Sequence, residues 1–89
     1  MSLLKSIVDY VKNVGEYLSN IRDVRNAIGL VEDAVARKDY LSALQSNRRA
    51  YELVSANHLI LKEMGFNPSD EVETLERIKN ERESLAMRV

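Results

Sequence analysis

The stretch Lys38-Asp39-Tyr40-Leu41-Ser42-Ala43-Leu44 lies between two amphipathic runs with no Gly or Pro to part them. It reads as the tight elbow of a helical hairpin. Asp39 is placed to cap a new helix, because an N-cap side-chain oxygen accepts from the free N–H groups of the first turn. Tyr40 is placed to plug the inside of the corner, and Ala43 to let two backbones approach. Such an elbow predicts antiparallel helices, a sequence-local core, and a surface rather than a chemical pocket as the product.

On the N-terminal side of the elbow, Val24, Ala27, Ile28, Val31, Ala34 and Val35 form one apolar stripe. Before it, Leu4, Ile7, Val11, Val14, Leu18 and Ile21 recur at alternating spacings of three and four, the mark of a helix over 3–18. Val8, Tyr10 and Tyr17 widen that stripe, and Lys5, Asp9, Lys12 and Glu16 fill the opposite side. The two stripes are out of phase by a quarter-turn or more, further than helical drift allows. This predicts a break near Ser19-Asn20, with Asn20 as N-cap and Asp23 three residues on. One continuous helix from 3 to 37 is the alternative. Gly29 weakens this segment by about 1 kcal/mol relative to Ala and suggests a close helix contact.

On the C-terminal side, a helix from Asp39 or Tyr40 to Met64 ends at Gly65, a left-handed cap position. Its apolar arc exceeds half the circumference, so it must touch two partners and is the central element. Phe66-Asn67-Pro68-Ser69-Asp70 is a turn and then a start signal. Asn67 is placed to cap, Pro68 suits the first helical position, and Asp70, Glu71 and Glu73 favour the positive end of the dipole. The last helix, 68 to about 87, carries a narrow stripe of Val72, Leu75, Ile78, Leu85 and Val89 with Arg82 in the seam. That stripe suits either a bundle's outer helix or contact with another chain. The expected fold is all-α, an antiparallel up-and-down bundle of three or four helices in one domain, 1–89.

Composition agrees. The chain of 89 residues is 45% hydrophobic and 30% charged, ordinary globular values. Three Gly and one Pro are too few for a β-rich protein, and the lack of Cys excludes disulfides, thiolate metal sites and a Cys nucleophile. Thirteen basic and fourteen acidic side chains are interspersed to a net charge of −1, a solvated surface and not a polyanion footprint. Apolar runs are too short to span a membrane, and Lys5, Asp9 and Lys12 interrupt any signal-peptide core. A cytoplasmic location is expected.

Ala27, Leu30, Val31 and Ala34, then Asp39-Tyr40, then Ala43-Leu44, Ala50 and Leu53 place small residues at helix crossings and a Tyr at the corner. In this, residues 27–53 resemble the helical hairpin of tetratricopeptide repeats and of the related MIT domains, which bind helical tails in membrane-remodelling machinery. Small flagellar-export chaperones share a similar elbow. Lys38 departs from the Gly or Asn usual at such turns, Asn47 from the usual aromatic, and no Pro follows the second helix. With no second copy in the chain, a repeat array is excluded. The resemblance implies a helical interaction module.

Asn47, Asn57 and His58 fall within or beside the central helix's apolar arc. A buried amide or imidazole without a partner costs on the order of 1–3 kcal/mol, so these residues predict a polar core network that fixes register, or a polar site between helices. No catalytic, cofactor-binding or metal-ligating set emerges. His58 has no signature nucleophile or orienting carboxylate, its spacing from Arg48 and Arg49 does not fit the paired Arg-His motif of helical ribonucleases, and position 55 is Ser where a carboxylate metal site needs Glu. The expectation is a non-enzymatic protein–protein interaction module: an adaptor, small chaperone or complex subunit. Its partner is another protein or itself, met through Tyr10 and Tyr17 or the Val72-Leu75-Ile78-Leu85 seam. A small nucleic-acid-associated regulator using Arg22, Arg25, Arg48 and Arg49 is the alternative, disfavoured by neighbouring acids and a pI near 5.8.

Overall fold

A computed structural model describes residues 3–89. It is all-α: α1 (Leu3–Ala36), α2 (Tyr40–Glu63) and α3 (Ser69–Ala86) run antiparallel in sequence order, with no strand among the described residues. The central helix α2 packs against α1 on one side and α3 on the other, while α1 and α3 make no backbone contact. The array is long and thin, 53 × 19 × 14 Å. None of the helices is long and apolar enough to cross a membrane.

The elbow forms as its residues dictate. Lys38 adopts a left-handed φ of 60°, which turns the chain out of α1. The Asp39 N–H then reaches back to the Ala34 carbonyl at 2.8 Å and the Lys38 N–H to Val35 at 3.0 Å, satisfying two end-of-helix acceptors. The Asp39 carboxylate accepts from the Ser42 N–H at 3.2 Å and from its hydroxyl at 2.7 Å. Ala34 and Ala43, both fully buried, lie at the crossing. Tyr40, Val35 and Leu44 close the corner over a cluster of Val31, Ala34, Ala43 and Leu85.

Two expected results follow from this geometry. A left-handed conformation is unfavourable for an L side chain by roughly 1–2 kcal/mol, and Gly gives part of that back as unfolded-state entropy. Lys38→Gly should therefore raise stability by up to about 1 kcal/mol, whereas Gly65→Ala, at φ 87° closing α2, should lower it by about as much. Urea titrations of the two variants check the opposite signs. The second result concerns pH. Both Ser42 hydrogen bonds, with a smaller contribution from Arg37, hold the Asp39 carboxyl below its ordinary value of 3.8. Its stabilising effect is thus fully present above that value and is lost as pH falls through the lower folded pKa. Melting curves of the wild type and Asp39→Ala should differ near neutrality and converge in strong acid.

The predicted break at Ser19-Asn20 does not occur; α1 is one helix of 34 residues. The phase shift between the two stripes is real, but it marks two faces of one cylinder. The face against α2 is Asn13, Tyr17, Asn20, Val24, Ala27, Val31 and Ala34, all buried or half-buried. At 100° per residue, Leu4, Ile7, Val11, Val14, Leu18 and Ile21 lie roughly 140° around from it. Because the α2-facing stripe is polar at Asn13 and Asn20, hydropathy alone does not follow it to the N-terminal side. Asn20 accordingly caps nothing and bonds to α2 instead. Gly29 is not a close-approach site either: nothing lies within 4 Å of where its Cβ would stand.

The start of α3 is displaced by one residue from expectation. Buried Pro68 is itself the cap position, and the Asn67 side chain bonds none of the first-turn N–H groups; its carbonyl takes the Ser69 N–H at 2.9 Å. The remaining core is a second cluster of Ala27, Ala50, Val54 and Ile78, with Val24, Tyr51 and Leu75 packed on it. Alanines at both crossings keep the helices close; larger side chains would force them apart.

Candidate interaction surface

The polar residues of α2 are the clamps that set its two neighbours. Asn47 is 1% exposed and satisfied three times. Its Nδ2 donates to the Ile78 carbonyl at 3.1 Å and to Glu81 Oε1 at 3.1 Å, and its Oδ1 accepts from Arg82 Nε at 3.0 Å. The Arg82 guanidinium lies 4.8 Å from the centre of the Tyr51 ring, a cation–π contact. Asn57 does for α1 what Asn47 does for α3: its Nδ2 donates to the Tyr17 carbonyl at 3.3 Å and its Oδ1 accepts from Asn20 Nδ2 at 2.9 Å. Each asparagine grips one backbone carbonyl and at least one side chain, so sliding either outer helix by a residue breaks the set. His58 is half-buried, and its buried Nδ1 has no partner among the described residues.

With its polar groups committed to register, the molecule's unusual surface is the outer face of α1. Leu3, Leu4, Ile7, Val8, Tyr10, Val11 and Leu18 are each more than half exposed, Leu3 at 78% and Val11 at 64%. At 34 residues to 24, α1 outruns α2, and Glu63 and Met64 at the end of α2 lie beside Tyr10 and Asn13. The first turns of α1 therefore project past α2 with apolar side chains on display.

The other predicted contact residues sit differently. Tyr17 is half-buried at the junction with α3, where burial, and then the Glu71 and Asp70 charges, raise its phenol pKa above the ordinary 10.0. Of the α3 seam, Ile78 and Leu85 are buried in the core clusters, Leu75 is half-buried against one of them, and Val72 is 47% exposed. Most of that seam faces α2. Tyr10, 53% exposed, belongs to the outer face of α1.

The depressions between helices offer little for chemistry. One where all three helices meet is about 130 Å³ and one between α1 and α3 is about 180 Å³, both below the roughly 300–1,000 Å³ of small-molecule sites. A larger one of about 330 Å³ between α2 and α3 is lined by Leu41, Leu44, Gln45, Arg48, Arg82 and Ala86, with neither nucleophile nor base, and another of about 320 Å³, where the start of α1 meets the end of α2, is lined by Ser6, Asp9, Tyr10, Asn13, Glu63 and Met64. Among the described residues no three His, Cys, Asp or Glu side chains gather where a metal ion would bind. No protein-family model, characterised protein or solved structure matches the chain.

Proposed function

We propose that the protein is a non-enzymatic protein–protein interaction module, an adaptor, small chaperone or complex subunit, that works through the outer face of α1. The observation that carries this reading is the run of seven large apolar side chains, each more than half exposed, on one end of a single helix. Contiguous apolar patches beyond a few hundred Å² are uncommon on monomeric soluble proteins and mark places where something else docks. Two features add support: the buried asparagines hold neighbouring helices in register, and the cleft between α2 and α3 has neither nucleophile nor base.

The test is affinity capture from the native host with the wild type and with Val11→Glu, followed by mass spectrometry. A partner, either a host protein or a second copy of the chain, held by the wild type and lost with Val11→Glu is the expected result; if no partner of either kind responds to the substitution, the reading is overturned. Arg22, Arg25, Arg48 and Arg49 are all exposed, but binding to mixed-sequence DNA or RNA at micromolar protein and physiological salt should be undetectable by anisotropy.

A further inference from the structure

Taking the outer face of α1 as an interaction surface, we propose that its occupant is a second copy of the same chain, lying antiparallel so that two α1 helices zip together along residues 4–21. The spacing comes first. Leu4, Ile7, Val11, Val14, Leu18 and Ile21 alternate three and four apart, the a/d pattern of a coiled-coil seam with a 3.5-residue period. That seam is not the one used for α2, which lies roughly 140° around the helix. Leu4, Ile7, Val11 and Leu18 of the seam are more than half exposed, whereas half-buried Ile21 borders a groove with Val54 and Asn57 of α2 and Glu71 and Thr74 of α3, so a partner meets the start of α3 only at that end.

The flanking positions favour a like strand. In this heptad the g positions are Leu3, Tyr10 and Tyr17 and the e positions are Val8, Gly15 and Arg22. Charge is absent from a, d, e and g until Arg22, so nothing across the seam repels an identical helix. Lys5, Asp9, Lys12 and Glu16 lie outside it, at b and f. The charge is also polarised along the helix: Lys5, Asp9 and Lys12 sum to +1, and Glu16, Arg22 and Asp23 to −1. Antiparallel pairing sets one half against the other and opposes the helix dipoles; parallel pairing aligns both unfavourably. The register that layers a against d places Leu4 opposite Ile21 of the partner subunit, Ile7 opposite Leu18 of the partner subunit, and Val11 opposite Val14 of the partner subunit.

The area is of the right order. Seven residues at 52–78% exposure present on the order of 700 Å² per copy, the most that pairing them buries, against the roughly 800 Å² per partner of a standard interface. The projecting turns of each α1 then cover the Val14–Ile21 stretch of the other, so both ends of the seam close under two-fold symmetry.

Light scattering coupled to size exclusion at tens of micromolar decides between one and two copies. The wild type should give about twice the 10.2 kDa of one chain. Val11→Glu and Leu4→Glu should each halve that mass with the helical circular dichroism of the α2–α3 body retained, while Leu41→Glu, at an exposed position on α2, should leave it unchanged. A wild-type mass of 10.2 kDa, or dissociation by Leu41→Glu alone, overturns the proposal. If the chain is monomeric yet Val11→Glu still abolishes capture of a host protein, only self-pairing falls; if neither assay responds to Val11, the interaction reading falls with it. Orientation is read from a spin label at Leu3→Cys, the sole thiol in the chain. The antiparallel register separates the two labels by about 28 Å along the axis, and a distance under about 15 Å shows a parallel pair and refutes the register.

Discussion

Asn47→Ala should destabilise the fold by about 3 kcal/mol, a large fraction of the roughly 5–15 kcal/mol by which domains of this kind are stable. The substitution does more than delete hydrogen bonds. Arg82 Nη2 is already buried without a partner among the described residues, and Nε depends on the Asn47 carbonyl oxygen alone. Truncation leaves a guanidinium with two unpaired donors beside a small void, and breaking one side of a buried charged contact is far worse than never having it. Asn47→Leu fills the void but leaves the same orphan, so it should be nearly as damaging. The double variant Asn47→Leu/Arg82→Leu removes both partners and should recover most of the loss, since apolar replacement of a whole polar pair is close to neutral. Urea titration measures all three, and an unchanged slope shows that the native state itself is intact. If the double variant is no better than Asn47→Leu, Arg82 is not what Asn47 satisfies.

The elbow was legible because everything that makes it is local. The cap, the corner ring and the small residue at the crossing lie within Asp39–Ala43, and side-chain chemistry names each role directly. Gly65 was legible for the same reason. Asn47 and Asn57 were visible as polar residues in an apolar arc, but their partners stand 31 to 40 positions away, and no local pattern names Ile78, Glu81, Arg82, Tyr17 or Asn20 as the groups they hold. The misreading of α1 has a definite cause. A phase shift between apolar stripes signals a break only when each helix has one covered face, and α1 has two apolar stripes, one against α2 and one outward. Periodicity reports that Leu4 through Ile21 share a face; it does not report whether this chain covers it. For α3 the ambiguity resolved the other way, because Ile78 and Leu85 reach the core from a stripe equally suited to an outside partner.

Leu85→Ala should cost about 3 kcal/mol, within the 2–5 kcal/mol of large-to-small changes in packed cores. Leu85 is 4% exposed and joins Val31, Ala34 and Ala43 in the cluster beneath the elbow. Few side chains anchor α3. Over 18 residues it buries only Ile78 and Leu85, helped by half-buried Leu75 and the Asn47 clamp, and its backbone touches α2 alone. The loss should therefore be felt first as release of α3, not as unfolding of the whole array. In native-state hydrogen exchange the amides of α3 should lose protection in Leu85→Ala well before those of α1 and α2 at the Ala34–Ala43 crossing. Val72→Ala, on the same helix but 47% exposed, is the control and should cost less than about 1 kcal/mol. Equal loss of protection across all three helices in Leu85→Ala would mean that α3 and the α1–α2 hairpin unfold as one unit. In that case the Leu85 cluster ties the whole elbow together, and α3 is as integral to the fold as α1.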